Sequence, residues 1–211
     1  LSHFVGIQHD ISAIIERSKY LIQSERNSAH EAARHASSMT SLNEMSRQLN
    51  FALQEEALYQ IIIDHTPQIL HADYISIALR TPQQQQVVIV AHSSAPAFLV
   101  QDTYLPITAS AIERVMLNKQ LLIENSNESE MSGTGMGSHM HAPLITGADT
   151  IGALTVACQQ PNAFSQRDEH LLLQVASLLA SHLQNRRLFA QTQAALEQAK
   201  EYAHRLALLN T

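Results

Sequence analysis

The chain has 211 residues, a formal net charge of −6 and an apolar fraction of 45%, values that fit one globular domain with extensions. The mildly acidic balance and the lack of a basic stripe argue against a nucleic-acid partner. Cys158 is the only cysteine, no apolar run approaches the roughly 20 residues of a membrane helix, and no signal sequence is visible. We therefore expect a cytoplasmic protein without an internal disulfide and without membrane contact by this fragment.

The N-terminal quarter of the chain predicts a short strand followed by a long helix. Residues 3–8 alternate loosely around Phe4, Val5 and Ile7, as a strand does. Residues 11–62 contain no Pro or Gly, and their apolar residues recur at steps of three and four. The middle of this stretch is rich in Ser and Ala and poor in large apolar residues. We expect a connector helix here, with a break near Ser41.

The central part of the chain alternates between predicted strands and helices. Residues 55–70 predict a core-facing helix that Pro67 kinks or ends early. The predicted elements that follow are strands at 73–80, 87–92 and 103–107, a helix at 110–118, and strands at 121–124, 139–144 and 150–158. Residues 125–138 predict a loop. Tight turns between neighbouring strands imply an α+β fold, in which helices pack on a mostly antiparallel sheet of five to six strands.

The C-terminal segment predicts one long helix with a coiled-coil seam. Residues 165–210 contain no Pro or Gly, and a heptad-like spacing of alternating three- and four-residue steps continues for about five heptads. Such a seam predicts a parallel homodimer through the flanking helices. We expect the seam to include Val175, Leu178, His182, Phe189 and Leu196.

Four stretches, in this order and spacing, resemble the GAF domain, a small-molecule-sensing module of signalling proteins. They are SLNEMSRQLN at 41–50, HADYISIALR at 71–80, HAPLITGADTIGALTVACQ at 141–159 and NAFSQRDEHLLLQVASLLA at 162–180. The resemblance implies a GAF-like fold, and the periodic segments on either side of it add long N- and C-terminal helices. It also implies a ligand pocket between the sheet and the loop at 125–138, near Ile107, Thr108, His139 and His141.

A shorter stretch at the N-terminus gives a domain context. FVGIQHDIS at 4–12 resembles the last strand and closing motif of a PAS domain. The predicted organisation is a truncated PAS-like tail at 1–12, a connector helix at 13–40, the GAF-like domain at 41–170 and a closing and signalling helix at 171–211. In such families these modules precede histidine kinase or diguanylate cyclase domains, whose catalytic signatures are absent from this sequence.

Candidate cofactor and metal sites each have a simpler explanation. His139 and His141 would point to one face of a strand, where they could bind a metal or haem iron, but no carboxylate or thiol stands at matching spacing. Cys158 lacks the neighbouring His that tetrapyrrole-binding relatives carry, which favours a small packed thiol. We therefore predict no metal site, find no evidence for bilin or haem, and leave the cofactor unknown.

Three functional hypotheses follow in order of preference. The first is a regulatory sensor or signal-relay module, in which a small molecule or a partner in the GAF pocket biases an output domain through dimeric helices. The second is a ligand-free dimerisation spacer. An enzyme is the third and least favoured, because no nucleophile elbow, phosphate loop or pair of catalytic acids is recognisable.

Overall fold

The computed structural model describes residues 2–52, 54–81, 86–93, 102–107, 110–125 and 135–209, without the side chains of 2–15, 30, 203–204 and 206–209. Contacts within the chain divide it into two units, Leu1–Thr40 and Ser41–Thr211. The second unit contains the sheet and its covering helices. Within the described residues, no helix is both long enough and apolar enough to cross a membrane.

Ten elements make up the described chain. In order they are α1 (Ser2–Phe51), α2 (Glu55–Ile69), β1 (Tyr74–Arg80), β2 (Gln86–His92), β3 (Tyr104–Pro106), α3 (Ala111–Asn118), β4 (Leu122–Asn125), β5 (Ser138–Thr146), β6 (Asp149–Cys158) and α4 (Gln166–Leu209). The strands form one sheet in the order β3-β2-β1-β6-β5-β4, and every pair is antiparallel. The predicted α+β architecture and the upper strand count of six are confirmed.

Helix α1 corrects two predictions for the N-terminal segment. Residues 3–8 are helical and do not form a strand. The pattern is ambiguous, because three apolar residues in six positions fit the spacing of a helix as well as that of a strand. The predicted break near Ser41 is also wrong, because α1 runs to Phe51 and the interruption lies before α2. Just before Ser41, the hydroxyl of Thr40 donates a hydrogen bond to the carbonyl of Ala36 at 2.9 Å. A polar side chain satisfied in this way can be accommodated inside a helix.

Helix α2 continues for two residues past Pro67, so the proline does not end it early, and the alternative of a kink stays a prediction. Pro67 lies inside the helix, which ends at Ile69, and the N–H of Leu70 donates to the carbonyl of Thr66 at 2.9 Å. The hydroxyl of Thr66 donates to the carbonyl of Ile62 at 2.6 Å. The helix is held by burial, since its inner side chains, including Leu58, lie in the core. Tertiary packing therefore outweighs the local effect of proline here.

The sheet has a different helical cover on each face. Helices α2 and α4 contact each other and the strands, α2 on β1 and β2 and α4 on β5 and β6, whereas α3 contacts β4, β5 and β6. The face toward α2 and α4 is apolar. Its side chains are fully buried or nearly so and include Ile75, Ile77, Leu79, Met140, Ala142, Leu144, Leu154 and Val156. Burial of this aliphatic face is the main stabilising contribution expected for the domain.

Two glycines, one in β6 and one in the turn before it, are required for different physical reasons. Gly147, the first residue of the two-residue turn between β5 and β6, has φ of +61°, which suits a type II′ turn. Gly152 is needed for space, because a Cβ there would lie 2.1 Å from the carbonyl oxygen of Ala78 and 3.0 Å from Cα of Leu79. The pairing of β1 with β6 depends on this close backbone approach.

We predict that Gly152→Ala destabilises the domain by about 1–3 kcal/mol, because the added methyl group must push β1 and β6 apart. Equilibrium unfolding in urea measures the change. Asp149→Ala, at an exposed position at the start of β6, is the control and should cost less than about 1 kcal/mol. Equal stability of Gly152→Ala and the parent protein would contradict the close packing.

Candidate functional site

The sheet face opposite α2 and α4 carries an unusual set of polar side chains. Strand register aligns Ser76 with His92 and Thr155, and Thr155 with His141. One row further along the strands, Tyr74 pairs with Ala157, Ala157 with His139, and His139 with Glu124. We name this set the polar face, defined by Tyr74, Ser76, His92, Glu124, His139, His141 and Thr155.

Four members of the polar face lie in the interior. The exposed fractions are 3% for Tyr74, 4% for Ser76 and 7% for both His141 and Thr155. Polar groups buried to this extent are normally hydrogen-bonded, since an unsatisfied group loses its solvation without compensation. Burial raises the pKa of the Tyr74 phenol, and the neighbouring Ser76 opposes that effect. Tyr74 also packs at 6.4 Å between ring centroids against His92.

The apolar end of the same face is covered by α3. Ala78, Val87, Ile89 and Met116 form a buried cluster, against which the partly buried Leu105, Ile107 and Ile112 pack. Ser110 caps the helix by accepting from the N–H of Glu113 at 3.1 Å, and Lys119 ends it in the left-handed conformation. Capping by Ser110 and the apolar residues facing the sheet therefore hold α3 beside the polar face.

The two histidines of β5 lie side by side. Their rings are parallel, with 6.1 Å between centroids. Nδ1 of His141 lies 2.9 Å from Oγ1 of Thr155, and Nε2 lies 3.6 Å from Oε2 of Glu124, beyond hydrogen-bond distance. Among the residues that the structure describes, Nε2 of His141 has no hydrogen-bond partner. A carboxylate can only accept, so the favourable neutral tautomer carries its proton on Nε2, and Nδ1 accepts from the Thr155 hydroxyl.

Glu124 connects this buried histidine to helix α3. One carboxylate oxygen faces His141, and the other forms an ion pair with Nη2 of Arg114. The neighbouring His141 and Arg114 lower the pKa of Glu124, against the opposing effect of burial. The carboxylate therefore stays ionised at neutral pH and bridges β4, β5 and α3.

The four residues predicted for the pocket do not all lie in one place. His139 and His141 lie on the polar face, while Ile107 is half-buried in the apolar cluster beside α3. Thr108 lies outside the described residues, as do residues 126–134 of the predicted loop. The sequence reasoning missed Tyr74, Ser76, Arg114, Glu124 and Thr155. Only the register between paired strands brings these residues together, and the alternation of residues within one strand does not reveal that register.

The residues of the predicted dimer seam become more exposed along α4. Val175 is fully buried in the domain, so it contributes to the core and is not on an exposed seam, which corrects its assignment. Leu178 and His182 are half-buried, and burial lowers the pKa of His182. Phe189 and Leu196 are 65% and 50% exposed. The exposed part of the predicted seam therefore begins beyond the domain core.

Ser165, Asp168 and Cys158 have structural roles. Ser165 and Asp168 cap the start of α4, since Oδ2 of Asp168 accepts from the backbone N–H of Ser165 at 2.8 Å and from its hydroxyl at 2.6 Å. Cys158 is a half-buried free thiol whose pKa is raised mainly by burial, which disfavours the reactive thiolate. Across the described residues, no group of three or more His, Cys, Asp or Glu side chains has a geometry suited to a metal ion.

We predict that the domain loses stability as the pH falls below the ordinary His pKa of 6.5. Burial, with a smaller contribution from the His141 charge, lowers the pKa of His139, while Glu124 opposes the change. Below pH 6.5 the unfolded chain therefore binds a proton that the folded chain resists, and stability falls until the pH reaches the folded pKa. His182, also depressed by burial, adds to the same effect.

Urea midpoints at about pH 7.5 and about pH 5.5 test this prediction. His139→Gln should show a smaller fall between the two values than the parent protein. His35→Gln, at an exposed position of α1, is the matched control and should leave the fall unchanged. An equal fall in the parent protein and in His139→Gln would contradict the assignment.

Comparisons with known proteins agree with this architecture. A family model described as GAF domain matches residues 52–184. The GAF domain from an Acinetobacter phosphoenolpyruvate-protein phosphotransferase is similar at 18% identity and a TM-score of 0.63, covering 71% of this chain and 94% of that one. The corresponding domain from Coxiella burnetii gives 15% identity and a TM-score of 0.64, with coverage of 74% and 98%.

A third solved structure is the GAF domain of a two-component sensor histidine kinase from Bacillus halodurans. It is 17% identical, with a TM-score of 0.58 and coverage of 66% of this chain and 99% of that one. No curated protein sequence matches the chain. Identities this low establish the fold alone, but the family model extends over more than half of the residues. The chain belongs to the GAF domain family.

Proposed function

We propose that this chain is a regulatory sensor module of a bacterial signalling protein. A small molecule binds at the polar face, and the flanking helices of a homodimer carry the resulting change to an output domain. The observation that carries the proposal is His141, which is 7% exposed and whose Nε2 lacks a hydrogen-bond partner among the described residues. A buried donor held in place by Thr155 but left without an acceptor is typical of a binding site.

The strand that carries the two histidines also supports the relay. In β5, His139 and His141 point to the polar face, whereas Met140, Ala142 and Leu144 point to the opposite face. Helix α4 contacts β5 on that opposite face. A shift of β5 on ligand binding would therefore change the packing under α4. Packed interfaces respond by moving between discrete arrangements, which is the requirement for a switch.

The C-terminal half of α4 supports the dimer. All described side chains from Arg187 to Tyr202 are exposed, and they include Leu188, Phe189 and Leu196. A helical segment without tertiary contacts is marginal in water. The spacing of Leu178, His182, Phe189 and Leu196 fits a seam shared with a second copy of the chain. The occupant that we propose for this surface is the same helix of a partner subunit.

The names of similar structures favour a signalling role. Besides the Bacillus histidine kinase domain, they include a methyl-accepting chemotaxis protein and the GAF-B domain of DevS from Mycobacterium smegmatis. A kinase or cyclase output domain and a cytoplasmic location stay predictions within this proposal. The PAS-like tail is also only a prediction, and residues 3–8, which resemble its last strand, are helical. The structure named as free methionine-R-sulfoxide reductase from Neisseria meningitidis is an enzyme by name, and we propose no catalytic role for this chain.

We predict that native mass spectrometry of the purified full chain detects a bound small molecule. His141→Phe should reduce its occupancy at least about tenfold, because the phenyl ring is planar like imidazole but has no N–H to donate. His170→Phe, at an exposed position of α4, should retain the molecule. A ligand-free parent protein with a filled interior would favour the spacer hypothesis instead. Visible absorbance would contradict the expectation that neither bilin nor haem binds.

We predict that the chain is dimeric by light scattering, and that Phe189→Asp combined with Leu196→Asp makes it monomeric. The two charges would face each other across the seam, where their burial is unfavourable. Gln191→Asp, on the same helix but off the seam, is the control and should remain dimeric. A monomeric parent protein at high concentration would contradict the dimer, and circular dichroism checks that the double variant stays folded.

A further inference from the structure

The carboxylate of Glu124 occupies the space where an external ligand would meet its two strongest donors. One of its oxygens contacts Arg114 of α3, and the other lies 3.6 Å from Nε2 of His141. The side chain of Glu124 is 39% exposed, and that of Arg114 is 55% exposed. Glu124 is therefore accessible from the edge of the sheet, while the histidine that it faces is buried.

The contact between Glu124 and His141 is loose for a charge-assisted hydrogen bond. Such bonds between nitrogen and a carboxylate normally measure about 2.7–2.9 Å. The donor of His141 is thus oriented toward a carboxylate without being satisfied by one. Because Thr155 holds Nδ1 at 2.9 Å, the ring has little freedom to move closer to β4.

The remaining groups around this point determine which ligand charge fits. Arg114 supplies a permanent positive charge from α3, and His141 supplies a buried donor from β5. The hydroxyls of Ser76 and Thr155 lie in the same row of the sheet. Burial depresses the pKa of His139, which leaves that ring neutral at pH 7 and able to pack against a planar group. Glu124 is the only acidic member of the polar face as defined above.

We propose that the polar face takes a small carboxylate ligand, and that Glu124 is the built-in competitor that occupies the carboxylate subsite when the ligand is absent. This inference rests on the proposed function and names the ligand class of the same site. The ligand carboxylate would accept from Nε2 of His141 and from the guanidinium of Arg114. Glu124, on the edge strand, would turn toward solvent.

Displacement of Glu124 also explains how binding would reach α3. Arg114 is the α3 residue that pairs with Glu124 of β4. When the ligand replaces that partner, α3 becomes attached to the ligand and through it to β5, instead of to β4. A carboxylate on the ligand therefore moves the contact of α3 from β4 to the ligand on β5. The negative charge that faces Arg114 stays the same. A neutral ligand cannot make this exchange, because it leaves Arg114 paired with Glu124.

The test is a calorimetric titration of the full chain with succinate, using inorganic phosphate and succinamide as comparison probes. Glu124→Gln removes the competing charge and keeps the shape of the side chain. It should bind succinate about tenfold more tightly than the parent protein, since a like charge beside the ligand is unfavourable. Arg114→Gln, which removes the charge, and His141→Phe, which removes the donor, should each weaken binding about tenfold.

Three outcomes would overturn the carboxylate subsite. They are an unchanged or weaker affinity of Glu124→Gln for succinate, binding of succinamide as tight as that of succinate, and tighter binding of phosphate than of succinate. Nitrogen-resolved NMR of the imidazoles adds a second measurement, which would show no change on addition of succinate if the role of Glu124 were only structural. Succinate should shift the Nε2 resonance of His141 in the parent protein.

Failure of this inference can be distinguished from failure of the proposed function. If native mass spectrometry finds a bound molecule without a carboxylate, the sensor role stands and the ligand class is wrong. If Glu124→Gln unfolds, the parent protein still decides the question through the His141 shift and through the comparison of succinate with succinamide.

Discussion

The pairing of β5 with β6 determines which side chains meet on each face of the sheet. The register begins at the turn with Thr146 opposite Asp149, and an irregularity after Leu144 moves it by one residue. Beyond that point His141 lies opposite Thr155. Without the extra residue it would lie opposite Leu154, on the apolar face. The contact between His141 and Thr155 depends on this irregularity. A second one, between Ile77 and Ala78, sets the register that places His92 opposite Ser76.

The polar face is a compromise between stability and binding. A face filled with aliphatic residues would bury more apolar area without the desolvation of Ser76, His141 and Thr155. The structure offsets part of that cost through the hydrogen bond between His141 and Thr155 and through the ion pair of Glu124 with Arg114. Nε2 of His141 keeps an unused donor in the described structure. An unused donor at a buried position is where a ligand can gain most from a single acceptor.

The sequence predicted the features that depend on local pattern. Alternation within β5 placed His139 and His141 on one face, and heptad spacing identified α4 as a long helix. Features that depend on distant contacts were missed or misassigned. Residues 3–8 satisfied a strand pattern but are helical, and Val175 satisfied the heptad but belongs to the core. Glu124 was invisible because its partners, Arg114 and His141, are 10 and 17 positions away and are brought together only by strand pairing and by α3.

The misassignment of Val175 clarifies how α4 could act in the proposed relay. Val175 is fully buried, and Phe189, two heptads further along the same stripe, is exposed. A regular helix has a fixed rotation of about 100° per residue, so these two positions cannot change their orientation independently. Any rotation that repacks Val175 in the core must also turn Phe189 relative to a partner helix. One continuous stripe, buried at its start and exposed beyond the core, is therefore sufficient to link the interior of the domain to the proposed dimer seam.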